Sequence, residues 1–135
     1  MIETIKGIIP TKEQLILLYS NAMWSEYTKH PDNLLKAVEN STAVYCAYDD
    51  GKLVGLIRAV GDRISIMYIQ DLLIMKSHQH QGLGRKLLET FMKDHSNVRQ
   101  VILMTDNDEE TIDFYRESGF APVEEYYLTA MIHRD

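Results

Sequence analysis

Apolar residues recur along this chain with two periods, and the switches between them mark out its elements. "ETIKGII" reads as a first strand, closed by Pro10. Thr11 is a plausible N-cap for "KEQLILLYSNA", where Leu15, Leu18, Tyr19 and Ala22 recur at helical spacing. "MWSEYTKH" reads as a loop, and Pro31 then opens a short helix over "DNLLKAVENS". "STAVYCAYDD" and "KLVGLIRAVG" are strand-like runs joined through Asp-Gly, a strong hairpin signal. "ISIMYIQDLLIM" predicts a further strand, the longest of the set. "GLGRKLLETFMKDHS" is amphipathic and helical, and "QVILMT" is a short buried strand. "EETIDFYRES" is helical, with Gly119 placed to stop it. "APVEEYYLTAMIH" predicts one or two closing strands.

The predicted order is β, α, α, β, β, β, α, β, α, β. Hairpins in the first half and a βαβ-like crossover in the second imply an α/β fold: a mixed sheet with helices on both faces. No repeat or linker interrupts residues 1–135, so one domain is expected. The methionines (Met67, Met75, Met92, Met104, Met131) read as core filling.

Charge narrows the partners. The formal net charge of −6 disfavours general nucleic-acid binding. No apolar run is long enough to cross a bilayer, so no membrane partner is expected. The single cysteine, Cys46, lies in the apolar run "TAVYCAY" and reads as a buried structural thiol in a reducing compartment. With no secretory signal evident, a cytoplasmic location is expected. The charge is uneven, however. Residues 106–117 hold six acids against one Arg116, whereas no acid occurs from Leu72 to Leu88. The acids at 108–110 also suit a helix N-terminus.

The basic stretch carries the candidate chemistry. "IMKSHQHQGLGRKLLETF" places an apolar strand end, two glycines and a helix start in sequence. A helix N-terminus presents unpaired N–H groups, and glycine lets a ligand approach the backbone. Gln79 to Arg85 is therefore built like an anion cradle. It is not a Walker A loop, since "GRK" does not end it correctly, and Leu87 stands where a dinucleotide fingerprint needs a third glycine. A tight turn without a ligand is the bland alternative. His78 and His80 have no Cys or carboxylate ligand beside them on the loop, so no metal is expected.

Gln79-x-x-Gly82-x-Gly84 after "QDLLIM" resembles the acetyl-CoA loop of the GNAT N-acetyltransferases, whose pattern is Gln/Arg-x-x-Gly-x-Gly/Ala. Downstream, "FYRESGF" resembles that family's "FYEKLGF"-like segment, and the element order matches. The resemblance implies an acetyl-CoA-dependent N-acetyltransferase acting by direct attack of a primary amine in a ternary complex. The acceptor expected is a small-molecule amine, with a peptide or protein amine as the alternative. It implies that Gln81, Gly82, Leu83, Gly84 and Arg85 bind the pyrophosphate through their backbone, with Gln79 opening the motif and Lys86 adding charge. Leu72, Leu73 and Ile74 would line the pantetheine arm through their backbone, on a strand that splays from "QVILMT".

Tyr115 matches the family's general acid for the thiolate. Asp71 is a candidate base, with a structural carboxylate as the alternative. Asp108 stands where many relatives carry Asn, and the adjacent Asn107 is a candidate substitute for that pantetheine contact. Trp24 and Tyr27 fall in the region that often lines the family's acceptor pocket. Tyr126 and Tyr127 would line the pocket or a dimer contact, and homodimers are common in the family. The competing class is a CoA-binding sensor or interaction module with this fold and no turnover. A phosphate-binding domain without CoA affinity is a third.

Overall fold

A computed structural model describes residues 1–22 and 25–135. The chain forms two compact units, Met1–Met104 and Thr105–Asp135. The first contains β1 (Ile2–Lys6), α1 (Lys12–Asn21), α2 (Ser25–Thr28), α3 (Pro31–Glu39), β2 (Ala43–Asp49), β3 (Lys52–Gly61), β4 (Met67–Ile74), α4 (Leu83–Asp94) and β5 (Val101–Leu103). The second contains α5 (Glu109–Glu117) and a 3-10 turn, Val123–Tyr126.

The five strands lie side by side in chain order. β1 to β4 are antiparallel, and β5 runs parallel to β4. The β2–β3 turn is the expected Asp-Gly pair, with Asp50 and Gly51 at φ 48° and 85°. Thr11 caps α1 reciprocally with Gln14, so both orphan donors there are satisfied.

Helices cover both faces of the sheet within the first unit. A Cβ on Gly55 of β3 would lie 3.2 Å from Leu87 of α4, so this position faces α4. Arg58, three residues on, faces the other way and shares Asp71 with Tyr19 of α1. The α4 face buries Leu87, Leu88 and Phe91 completely. Each contributes about 1.5–3 kcal/mol by leaving water. On the α1 side Leu15, Leu18 and Tyr19 are equally enclosed.

Three segments depart from the sequence expectation. Residues 64–66 do not extend β4: the Asp62 carboxylate accepts the N–H groups of Ile64, Ser65 and Ile66 and curls them into a turn. β4 therefore has 8 residues and β3, with 10, is the longest strand. Thr28 in the expected loop closes a short helix, α2, by donating to the Ser25 carbonyl. Met23 and Trp24 lie outside the described residues. The closing strands do not form. The segment after Pro122 makes a 3-10 turn and then runs without regular structure, with Tyr127 at 99% and Met131 at 91% exposure. Strand-forming residues need a partner strand and a surface to pack on, and this segment's exposed side chains have neither burial nor pairing. Met104 is exposed as well, whereas Met67 and Met75 fill core space as expected.

Gly61 tests the β3–β4 turn. A Cβ there would stand 2.2 Å from the Ile66 carbonyl oxygen, a backbone atom that cannot swing aside. Gly61→Ala should cost about 1–3 kcal/mol, read as a lowered urea midpoint. An unchanged midpoint would contradict this packing.

Candidate active site

β4 changes partners part-way along its length, and that change builds the candidate site. Its pairing with β5 covers only Met67, Tyr68 and Ile69, ending at Leu103. Its pairing with β3 continues to Ile74 but slips by one residue: Arg58 opposes Asp71, while Ala59 opposes Ile69. Gln70 is the extra residue of a β-bulge. Simple alternation would put Ile69, Asp71 and Leu73 on one face. The bulge breaks that pattern, because paired residues share a face. Tyr68, Asp71 and Leu73 lie with Arg58 on the α1 side, and Ile69, Leu72 and Ile74 lie on the α4 side.

Backbone direction follows from one hydrogen bond. The Met75 amide donates to the Val54 carbonyl at 2.8 Å. In an antiparallel ladder every second pair exchanges both bonds. Leu73 therefore turns its N–H and C=O toward β3, as does Asp71. Leu72 and Ile74 turn theirs to the open edge, beyond the last β5 pair. Of the three backbone positions expected to meet pantetheine, the geometry turns those of Leu72 and Ile74 to the open edge and that of Leu73 to β3. The Ile74 carbonyl accepts from Gln79 Nε2 at 3.0 Å, so the motif's first side chain braces this edge.

The glycine loop is tied down at several points. Lys76 N–H donates to Asn21 Oδ1 at the end of α1, at 2.7 Å. His78 Nε2 lies 2.7 Å from Asp49, and its Nδ1 lies 2.7 Å from Ser77 Oγ. His78 is thus an anchor to β2, where the sequence suggests only a solvated side chain. Gln81 Nε2 reaches the Ser77 carbonyl. Gly82 adopts φ 80° as the N-cap of α4, a left-handed conformation that favours glycine. No side chain caps this helix, and Lys86 is the first amide to reach a helical carbonyl, that of Gly82. The amides of Gly82, Leu83, Gly84 and Arg85 precede it and point out of the helix end. Leu83 is buried and pins the first turn, whereas Lys76, Arg85 and Lys86 are exposed. A Cβ on Gly82 would meet nothing within 4 Å, so the space before the helix is open.

Asp71 sits below the bulge with its side chain fully enclosed. Arg58 Nε donates to Oδ2 at 2.6 Å, Tyr19 OH to the same oxygen at 2.8 Å, and Tyr27 OH to Oδ1 at 3.0 Å. Gln70 Nε2 donates to Tyr27 OH at 3.2 Å, and the Arg58 guanidinium lies 5.8 Å from the Tyr27 ring centroid. Burial, and then the Asp71 charge, push both tyrosine hydroxyls up, so they stay protonated as donors. A carboxylate holding three donors in a closed cavity is built to position its neighbours. The sequence offers a signal for this pair: Arg58 and Asp71 are the charges in the middle of two otherwise apolar strand runs. Their mutual pairing depends on the register slip, which sequence spacing does not show.

In the second unit Tyr115 lies on α5, edge-on to Phe114 and Phe120. Burial pushes its phenol up to about 12. Asp108 caps α5 by accepting from the Thr111 amide at 2.8 Å and its hydroxyl at 3.0 Å. That gives the departure from Asn a local reason, and the adjacent Asn107 is exposed. Glu109, Glu110 and Asp113 line an open depression with Phe114, and the first two complement the helix N-terminus. Gly119 turns at φ 91° and ends the helix as expected. Among the described residues no group of three or more His, Cys, Asp or Glu side chains could hold a metal, and no helix is long and apolar enough to cross a membrane.

The family model of the acetyltransferase (GNAT) domain matches residues 10–133. The chain belongs to the GNAT acetyltransferase family. A solved GNAT-family acetyltransferase from Streptococcus pneumoniae is 34% identical, with a TM-score of 0.89 over 100% of this chain and 98% of its own. Histone acetyltransferase TAP1 of Glycine max is 31% identical over 71 residues, 51% of this chain. A chloroplastic GCN5-related N-acetyltransferase of Arabidopsis thaliana is 32% identical over a stretch of the same length. The chain spans only 30% and 27% of those two plant proteins. The GNAT fold and acetyltransferase family membership expected from the two motifs are therefore established.

The Arg58–Asp71 pair is directly testable. Arg58→Ala would leave a buried carboxylate without its counter-charge, a loss of about 3–5 kcal/mol. Chemical denaturation should show it, and a shift below 1 kcal/mol would mean that water reaches Asp71.

Proposed function

We propose that this GNAT protein transfers an acetyl group from acetyl-CoA to a primary amine of a small molecule, in a ternary complex. The observation that carries the reading is the open edge of β4. Leu72 and Ile74 present backbone hydrogen-bonding groups there, with the uncapped N-terminus of α4 and Lys76, Arg85 and Lys86 close by in the chain. That combination suits an amide-containing arm ending in phosphates.

When bound, acetyl-CoA supplies an acetyl carbonyl carbon activated by its thioester sulfur. The amides from Gly82 to Arg85 bind the pyrophosphate, and the Leu72 and Ile74 backbone aligns the arm. The amine nitrogen uses its lone pair to form the new C–N bond. The C–S bond breaks and its electron pair passes to sulfur. Tyr115, assigned by its place in "FYRESGF", gives sulfur a proton. The nitrogen loses its surplus proton to water, and solvent restores the phenol. Asp71 is read as holding Tyr27 and Gln70 in place, since both its oxygens are occupied. Asn107 keeps the role of a pantetheine contact. No nucleic acid, membrane or metal enters this reading. Cys46, buried and pushed up to about 12 by that burial, takes no part and suits a cytoplasmic setting. The absence of a free carboxylate on Asp71 favours one alternative, a CoA-binding module without turnover.

Calorimetry with acetyl-CoA, against CoA, ATP and NAD, tests the binding. Thiol release with amines then separates enzyme from binding module. Gly82→Glu should weaken acetyl-CoA binding by about tenfold or more, through charge and bulk in the cradle. Equal affinity in a folded variant would remove the loop from the site. Tyr115→Phe should slow turnover on the order of 100-fold at unchanged acetyl-CoA affinity. Because burial raises its pKa to about 12, Tyr115 remains protonated in alkaline buffer. The rate should therefore show no loss of acid function up to about pH 10. A descending limb below that, absent in Tyr115→Phe, would place the phenol in a less buried setting.

A further inference from the structure

The hydrogen bonds around Asp71 have a direction, and it ends at Gln70. Beside the Arg58 guanidinium the Asp71 carboxylate only accepts. Tyr27 therefore commits its single proton to Asp71 Oδ1. The Tyr27 oxygen is left to accept, and it is met by Gln70 Nε2. This chain fixes which end of the Gln70 carboxamide faces Tyr27. The other end, Oε1, must be an acceptor, on a residue that is exposed. Gln70 is also the bulge residue, directly after the last β4–β5 pair and directly before the strand whose edge opens.

Resting on the acetyltransferase reading, we infer that Gln70 is a substrate-contacting residue whose Oε1 accepts a hydrogen from the acceptor amine at the mouth of the β4–β5 opening. A neutral primary amine can give one N–H to Gln70, keep its lone pair for the acetyl carbon, and later lose the other proton to water. An alcohol has one hydrogen and would commit it to Gln70. The site thereby favours nitrogen over oxygen acceptors. Asp71, Arg58 and Tyr27 are positioning residues that act through Gln70.

The test measures thiol release from acetyl-CoA with glycinamide, benzylamine and spermidine, alongside acetyl-CoA affinity and urea midpoints. Gln70→Ala should lower kcat/KM for the amine about tenfold or more while acetyl-CoA affinity stays within about twofold. Gln70→Glu should lose as much, because a carboxylate cannot donate to Tyr27. Tyr27→Phe should give a smaller loss, since it frees the carboxamide without removing it. Wild-type kcat/KM in Gln70→Ala would overturn the inference. So would a gain in Gln70→Glu, which would make the position one for a base. If the wild type binds acetyl-CoA but turns over none of the three amines, NMR of the CoA-loaded protein decides. A shift of the Gln70 side-chain amide signals on adding glycinamide, with those signals identified by their loss in Gln70→Ala, supports the contact; no shift overturns it. A wild type that binds no acetyl-CoA overturns the proposed function, and this inference with it.

Discussion

Arg58 and Asp71 oppose each other across β3 and β4 at the position where the register slips. The ion pair is almost without solvent, so neither charge can be rotated outward without losing its partner. That constraint requires the one-residue slip to lie between the β3–β4 turn and this pair, and it falls at Gln70. Without the slip, Arg58 would oppose Gln70 and Asp71 would face the α4 side with Ile57. Because the bulge is fixed, so is the face that each later residue of β4 presents. Leu72 and Ile74 face α4 with their side chains and the open edge with their backbone. An ion pair on one face of the sheet thus sets how this strand presents its open edge.

The glycine loop depends on the same strand from its other end. Gln79 braces the Ile74 carbonyl, Asn21 receives the Lys76 amide, and His78 is tied to Asp49. These contacts come from α1, β2 and β4, so the uncapped end of α4 is held by three separate elements. An uncapped helix start costs stability where a Ser or Asp cap would supply it. Here the cap position is Gly82 in a left-handed conformation, and no side chain caps the helix. The second unit solves the same local problem the opposite way. Asp108 caps α5 with its own carboxylate. The two helix starts thus differ: α5 is closed by its own side chain and α4 is not.

Polarity around Asp71 is set by proton counting. Each tyrosine there has one proton and gives it to the carboxylate. Tyr19 is enclosed by α1 and the sheet, so its contribution is structural. Tyr27 passes the directionality on to Gln70. A buried charge pair is an uncertain source of stability, but it can specify one arrangement among several. In this GNAT protein it specifies the register of β4 and the orientation of an exposed carboxamide.

The sequence by itself determined the parts that local physics controls. Thr11 before a helical repeat, Asp50-Gly51 between apolar runs, Gly82 before an amphipathic helix and Gly119 after one each act through their own backbone or nearest turn. These choices are readable because their energy is spent within a few residues. The family resemblance rested on two such local motifs, and family membership followed. Only the tertiary structure decided what depends on partners distant in sequence. The closing segment is rich in strand formers, yet without strand pairing it stayed irregular. Residues 64–66 began an apolar run, yet Asp62 captured their amides. Asp71 looked like a candidate base, and its neighbours Arg58, Tyr19 and Tyr27 come from three other elements. A one-residue slip between two strands decides which face each side chain meets, and sequence alternation carries no mark of it.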